Sequence, residues 1–164
     1  MSVFDVVPVS VDDYRRRARR RLPRFLFDYL DGAANDEVTA AANESDFGHY
    51  QLLQRVLRDV DGATTASTLA GQEVKMPLAL APVGMAGMYA RRGETQGARA
   101  AQRAGIPFSL STLGICTVED VAATGKAPWF QLYMLRDRTI VEKLLARAAA
   151  AGVPVAVVLE VQVL

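Results

Sequence analysis

From Met76 onward the chain repeats one grammar: an apolar run, a turn, then an amphipathic helical stretch. LALAPVG (78–84) precedes GETQGARAAQRAG (93–105), PFSLST (107–112) precedes TVEDVAATG (117–125), and WFQLYM (129–134) precedes DRTIVEKLLARAAAAG (137–152), with VPVAVVLEV (153–161) last. Four strand-like runs thus alternate with three helical ones. Continuous apolar strands separated by helices imply parallel strands, either in a doubly wound sheet or in a (β/α) barrel. The pattern alone leaves both open. A doubly wound nucleotide fold usually places G-x-G-x-x-G after its first strand, and APVGMAGMYARRGE does not fit it, which favours the barrel.

Before this region the sequence is helical and polar. Asp12 or Ser10 can cap a helix through YRRRARRRL, Pro23 can open a second in PRFLFDYLDG, and DEVTAAANESDF suits a third. TTASTLAGQEV, with β-branched residues around Ala70-Gly71, predicts a short hairpin. The expected organisation is a helical segment with a hairpin over 1–75, then α/β units over 76–164.

Composition removes several classes of function. Nineteen basic against eighteen acidic side chains leave a net charge of +1, so no global field favours nucleic acid. A single cysteine excludes a disulfide framework within these 164 residues and any cysteine-based metal cluster, and no metal site is expected. MSVFDVVPVS lacks the basic start and apolar block of a signal peptide, and no run reaches the ~18 apolar residues of a membrane span. The expectation is a cytoplasmic protein.

Barrel active sites lie at the C-terminal ends of the strands, which directs attention to Pro82, Val83 and Gly84, to Ser111 and Thr112, and to Gln131 and Tyr133. Gln131 and Tyr133 stand two apart in WFQLY, hence on one face of a strand. Two polar groups on one face at that end suit ligand contacts.

The succession FDYLDGAANDEVT, LALAPVGMAGMYARRGE, FSLSTLGIC and WFQLYMLRDR resembles the N-terminal half of the FMN-dependent α-hydroxy-acid oxidases and dehydrogenases, nearest to their bacterial quinone-linked L-lactate dehydrogenase branch. The likeness runs from about residue 10 to about 158. It implies N-terminal helices followed by the first four βα units of a TIM-type (β/α)8 barrel, with FMN as cofactor and a small L-2-hydroxy acid, L-lactate to pyruvate, as substrate. By resemblance, Tyr29 is the tyrosine that binds the substrate carboxylate and Tyr133 the second active-site tyrosine. Pro82, Val83 and Gly84 correspond to the backbone lying against the flavin near N5, and Ser111 and Gln131 to polar groups that hydrogen-bond the ring. Quinone, oxygen or a cytochrome is the implied electron acceptor.

Each assignment has a plainer rival. Gln131 and Tyr133 could satisfy neighbouring backbone, Tyr29 could be a core aromatic, and Cys116 reads as a packed thiol rather than a reactive one. His49 precedes every barrel strand, where the family has no functional residue, and reads as surface. The family's catalytic histidine, carboxylate-binding arginine, flavin lysine and phosphate loops belong to the second half of a barrel of about 250 residues. The family's T-V-D motif at the fourth strand has no counterpart in LEVQVL, where Glu160 and Gln162, or Leu159 and Val161, take its places. The chain alone is therefore expected to be an incomplete, inactive fragment, whether by truncation, frameshift or division.

Two other readings stand beside it. One is a non-catalytic half-barrel. The other is a basic module for a membrane surface or nucleic acid, because YRRRARRRLPRFLF holds seven arginines between positions 15 and 24; it would place the chain peripherally at the inner face of the membrane. Open strand edges predict self-association or a homo-oligomer.

Overall fold

The computed structural model describes residues 8–159. They fall into two compact units, one up to Val60 and one from Asp61 onward.

In the first unit, helix α1 spans Val11–Arg21, α2 Arg24–Asp31 and α3 Val38–Ser45, with a 3₁₀ turn over Asp46–His49. Ser10 is the cap of α1: its hydroxyl accepts from the Asp13 amide at 3.2 Å, while the Asp13 carboxylate accepts from the Ser10 amide at 3.1 Å. These reciprocal bonds satisfy two groups that a helix start leaves bare. Pro23 opens α2 with φ −53°, the value its ring imposes. Arg15 grips Asp31 with two hydrogen bonds, at 2.5 and 2.9 Å, tying α1 to α2. Arg16 pairs with Asp12 and Asp13, and Arg24 with Asp28. Carboxylates of the same unit thus take up part of the basic stripe, as in a solvated helix flank.

The second unit begins with the predicted hairpin. Strand β1 (Ser67–Leu69) pairs antiparallel with β2 (Gln72–Val74), and Ala70 and Gly71 both carry positive φ, 47° and 74°, as a type I′ turn requires. The hairpin lies in the second compact unit, which begins at Asp61. Two bonds hold it there: the Lys75 amide donates to the Gly105 carbonyl, and Trp129 Nε1 donates to Gln72 Oε1.

Next come α4 (Ala86–Tyr89), α5 (Gly93–Ala104), β3 (Ser109–Ser111), α6 (Val118–Ala122), β4 (Trp129–Tyr133), α7 (Arg138–Ala150) and β5 (Ala156–Leu159). Strands β3, β4 and β5 form a parallel sheet in that order, with Ser111 opposite Gln131 and Gln131 opposite Val157. Capping fixes the crossover helices: Thr117 makes a capping box with Asp120, and the Asp137 carboxylate accepts from the Thr139 amide.

The expected first strand, LALAPVG, is present only as a single parallel bridge between Leu80 and Phe108. The Leu80 amide donates to the Pro107 carbonyl at 2.9 Å and the Ser109 amide to the Leu80 carbonyl at 3.0 Å. In a parallel ladder the next rungs would need the amides of residues 82 and 107. Both are prolines and have no N–H, so pairing stops after one rung.

Alternation along the strands divides the second unit into two faces. Leu110, Phe130 and Leu132 pack with Ala98 of α5, Val118 and Val121 of α6, and Val141 and Ala148 of α7, forming the apolar core. Ser111, Gln131 and Tyr133 occupy the opposite face.

Candidate active site

The predicted residues of the second unit gather where β3 and β4 end. Ser111 and Gln131 are neighbours in register and both are buried, at 5% and 1% exposure. The Ser111 hydroxyl donates to Gln131 Oε1 at 3.1 Å and accepts from the Leu113 amide, also at 3.1 Å. The Gln131 Nε2, equally buried, has no partner. An amide donor left bare in a protein interior costs about 1–3 kcal/mol.

Thr112 stitches the two strand ends together. Its hydroxyl donates to the Gln131 carbonyl at 2.5 Å and accepts from the Tyr133 amide at 3.2 Å. Tyr133 is half-buried and its backbone is held by this bond. Gln131 and Tyr133 therefore share a face, and the backbone groups between the strands are satisfied by Thr112 rather than by the Gln131 amide.

Pro82, Val83 and Gly84 form the segment where the chain leaves the sheet, and Val83 is half-exposed. The Met85 amide donates to the Leu113 carbonyl at 2.9 Å, which joins this loop to the one after β3. A Cβ at Gly84 would stand 3.8 Å from the Leu113 Cβ, an ordinary contact, so packing within the unit does not demand glycine there.

Beneath both loops lies Glu94, 1% exposed, in the first turn of α5. Its Oε1 accepts from the Gly87 amide at 3.0 Å and the Ile115 amide at 2.8 Å. Burial pushes this carboxyl up, but the amides of Ile115, Glu94 itself and Gly87, with the Cys116 thiol, outweigh it and hold it below the usual range. Cys116 is buried; desolvation, then Glu94, raises its thiol, so it is a packed thiol and not an activated one. Sequence reading did not single out Glu94, because GETQ signals only an acidic residue in a first helical turn.

Tyr29 lies on α2 of the first unit, 67% exposed, and is not a core aromatic. His49, in the 3₁₀ turn, has a side chain 79% exposed, with Asp46 3.9 Å away. Glu160, Val161 and Gln162, weighed as counterparts of the T-V-D motif, lie outside the described residues, as does the side chain of Leu159. Among the described residues no cluster of ligating side chains could hold a metal, and no helix is long and apolar enough to cross a membrane.

Comparison with known proteins adds three findings. The family profile described as FMN-dependent dehydrogenase matches residues 18–163. The L-lactate dehydrogenase of Caulobacter sp. (strain K31) is 58% identical over 144 residues, 87% of this chain and 38% of that protein; that of Pseudomonas syringae pv. syringae (strain B728a) is 53% identical over 145 residues, 88% and 38%. A crystal structure of mandelate oxidase superposes with a TM-score of 0.86 at 38% identity, covering 93% of this chain and 44% of that one. The chain thus spans about 38% of the length of the curated relatives it matches.

Proposed function

The chain belongs to the FMN-dependent dehydrogenase family, and from that premise we propose that it forms the part of an L-2-hydroxy-acid oxidoreductase site that receives the edge of the flavin ring. The single observation that carries this is the Ser111–Gln131 pair. The serine fixes Gln131 Oε1, which leaves Nε2 as a buried donor without an acceptor at the C-terminal end of a parallel sheet. A ring carbonyl of FMN is an acceptor of the right kind, neutral and planar.

Other features support the same assignment. Gly84 has no packing reason to be glycine, and a bare backbone suits close approach of a flat ring. Pro82 and Val83 add apolar surface beside it, and Tyr133 can donate a phenolic hydrogen bond to substrate oxygen. Tyr29 is assigned to the substrate carboxylate by its place in FDYLDG. FMN, when bound, supplies the acceptor for the hydride equivalent leaving the substrate carbon. These residues orient the ring and substrate and exclude water around them.

L-lactate is the proposed substrate, because relatives with that printed activity share more than half of the aligned residues. The four βα-like segments over 76–164 are proposed as the first half of a (β/α)8 barrel, with 1–75 preceding it. The 164-residue chain is proposed to be inactive alone, since its one histidine is the exposed His49. Quinone, oxygen and cytochrome are the candidate acceptors.

The test is FMN fluorescence quenching by the chain alone, by the chain mixed with the complementary C-terminal part of a relative, and by Gln131→Leu in that mixture. Tight quenching is expected only in the unsubstituted mixture. Equal affinity for Gln131→Leu would overturn the assignment, and micromolar binding by the chain alone would overturn its incompleteness. Binding without turnover in the mixture would favour the non-catalytic half-barrel.

A further inference from the structure

Glu94 is a buried carboxylate that the proposed chemistry does not use. One of its oxygens accepts from two amides that belong to different segments: Gly87, in α4 at the end of the loop carrying Pro82–Gly84, and Ile115, in the loop after β3 that also positions Ser111. Space is tight there as well. A Cβ on Gly87 would come within 2.7 Å of the Ile115 Cβ, so the two loops are in direct apposition above the carboxylate. A second bridge, from the Met85 amide to the Leu113 carbonyl, runs parallel to the first.

The consequence is mechanical. Neither loop is held by strand pairing, since the sheet ends at Ser111 on one side and at the Leu80 bridge on the other. Backbone that leaves a sheet early is ordinarily the part that opens most easily. A single ionised acceptor bonded to both loops fixes their separation, and charge-assisted bonds are about twice as strong as neutral ones. Its place in the first turn of α5 favours the ionised form there.

We propose that Glu94 is a positioning residue that sets the spacing between the Pro82–Gly84 backbone and the Ser111–Gln131 pair, and so the width of the slot for the ring edge. The inference rests on the flavin reading above for its purpose, but its mechanical core concerns this chain alone. Glu94 touches neither ring nor substrate in this scheme; it acts through the two amides.

Amide hydrogen exchange resolved by NMR tests it on the 164-residue chain. In the unsubstituted chain Gly87 and Ile115 should share one protection factor, because one acceptor restrains both; values more than about tenfold apart would overturn the proposal. In Glu94→Gln the protection of these two amides should fall about tenfold while Leu110, Phe130 and Leu132 hold theirs, because a neutral acceptor makes the weaker bond. No fall at 87 and 115, or an equal fall throughout the sheet, contradicts it. If the variant does not fold, the comparison within the unsubstituted chain decides alone. Adding FMN at millimolar concentration to the mixture with the complementary C-terminal part of a relative, where it is expected to bind, separates the two ideas. Shifts at Val83, Gly84 and Gln131 in the unsubstituted chain, narrowed in Glu94→Gln to Gln131, support both. No shift at any of them refutes the flavin reading, while the exchange result still decides the role of Glu94.

Discussion

Gly93→Ala offers a sharp test, because two effects of opposite sign meet at one atom. Gly93 is the first residue of α5, and alanine in a helix is intrinsically better by up to about 1 kcal/mol. Against this, an added Cβ would lie 2.5 Å from the Ala86 carbonyl oxygen and 2.8 Å from its carbon. These are backbone atoms, and that oxygen already accepts from the Ala90 amide at 3.2 Å. Relief to an ordinary carbon–oxygen distance of about 3.3 Å needs a displacement of about 0.8 Å between α4 and α5. Overpacking of that kind costs about 1–3 kcal/mol. It would also stretch the 3.0 Å bond from the Gly87 amide to Glu94, a charge-assisted bond worth about 1.5–3 kcal/mol. The clash outweighs propensity, and a net loss of about 2–4 kcal/mol is expected. Urea unfolding followed by Trp129 fluorescence measures it, since this sole tryptophan lies in the second unit and reports on that unit. The midpoint should fall by about 1–2 M at unchanged slope. Gly62→Ala, with nothing within 4 Å of the new atom, is the control and should stay within about 0.5 kcal/mol. If Gly93→Ala matches that control or is more stable, the close contact and the argument built on it are wrong.

Three further outcomes are expected. The purified chain should not oxidise L-lactate with artificial acceptors, because its one histidine is the exposed His49 and a base placed beside the substrate carbon contributes about 10² to 10⁴ in rate; if it does turn over, His49→Ala shows whether that exposed imidazole is responsible. Glu119 is held down to about 2, first by its hydrogen bonds from Arg147, at 2.9 and 2.8 Å. A depressed carboxyl contributes stability that is full above its unfolded value of 4.5 and lost as pH falls through about 2, so Glu119→Gln should flatten the fall in melting temperature across that window, and parallel profiles would contradict it. Among the described residues β5 pairs only with β4, and Val158 is half-exposed, so the chain should self-associate by size-exclusion chromatography with light scattering; a dispersed monomer with cooperative unfolding would show that the edge is covered some other way.

What the sequence disclosed was local. Of the two caps expected for the first helix, Asp12 or Ser10, the structure uses Ser10, and the helices that start after Thr117 and Asp137 lie within the stretches where periodicity placed them. Ala70-Gly71 likewise encodes its own turn. Polar residues at strand ends could also be named from spacing, but their pairing could not. Ser111 meets Gln131 because β3 and β4 lie in one register, a property of two segments twenty positions apart. Glu94 was hidden for the same reason. Its partners, Gly87 and Ile115, contribute only backbone amides, which no residue type announces.

The first strand shows where local reading goes astray and why the error is informative. LALAPVG has the composition of a buried strand, and its lone rung to Phe108 is correctly placed. Reading apolar runs counts side chains, whereas a ladder is made of amides. Pro107 removes the rung before Leu80 and Pro82 the rung after it, so two residues on different segments together shorten the strand to one bridge. Pro82 is also the first residue of the segment proposed to lie against the ring. The chain therefore departs from the sheet at the point where a ligand would need free backbone, and the proline that ends the pairing begins the candidate site. Such a departure leaves the segment from Val83 to Gly87 without a ladder to hold it. The bonds from Met85 to Leu113 and from Gly87 to Glu94 take over that task, the second on one oxygen of a carboxylate that stands almost fully buried beneath these loops.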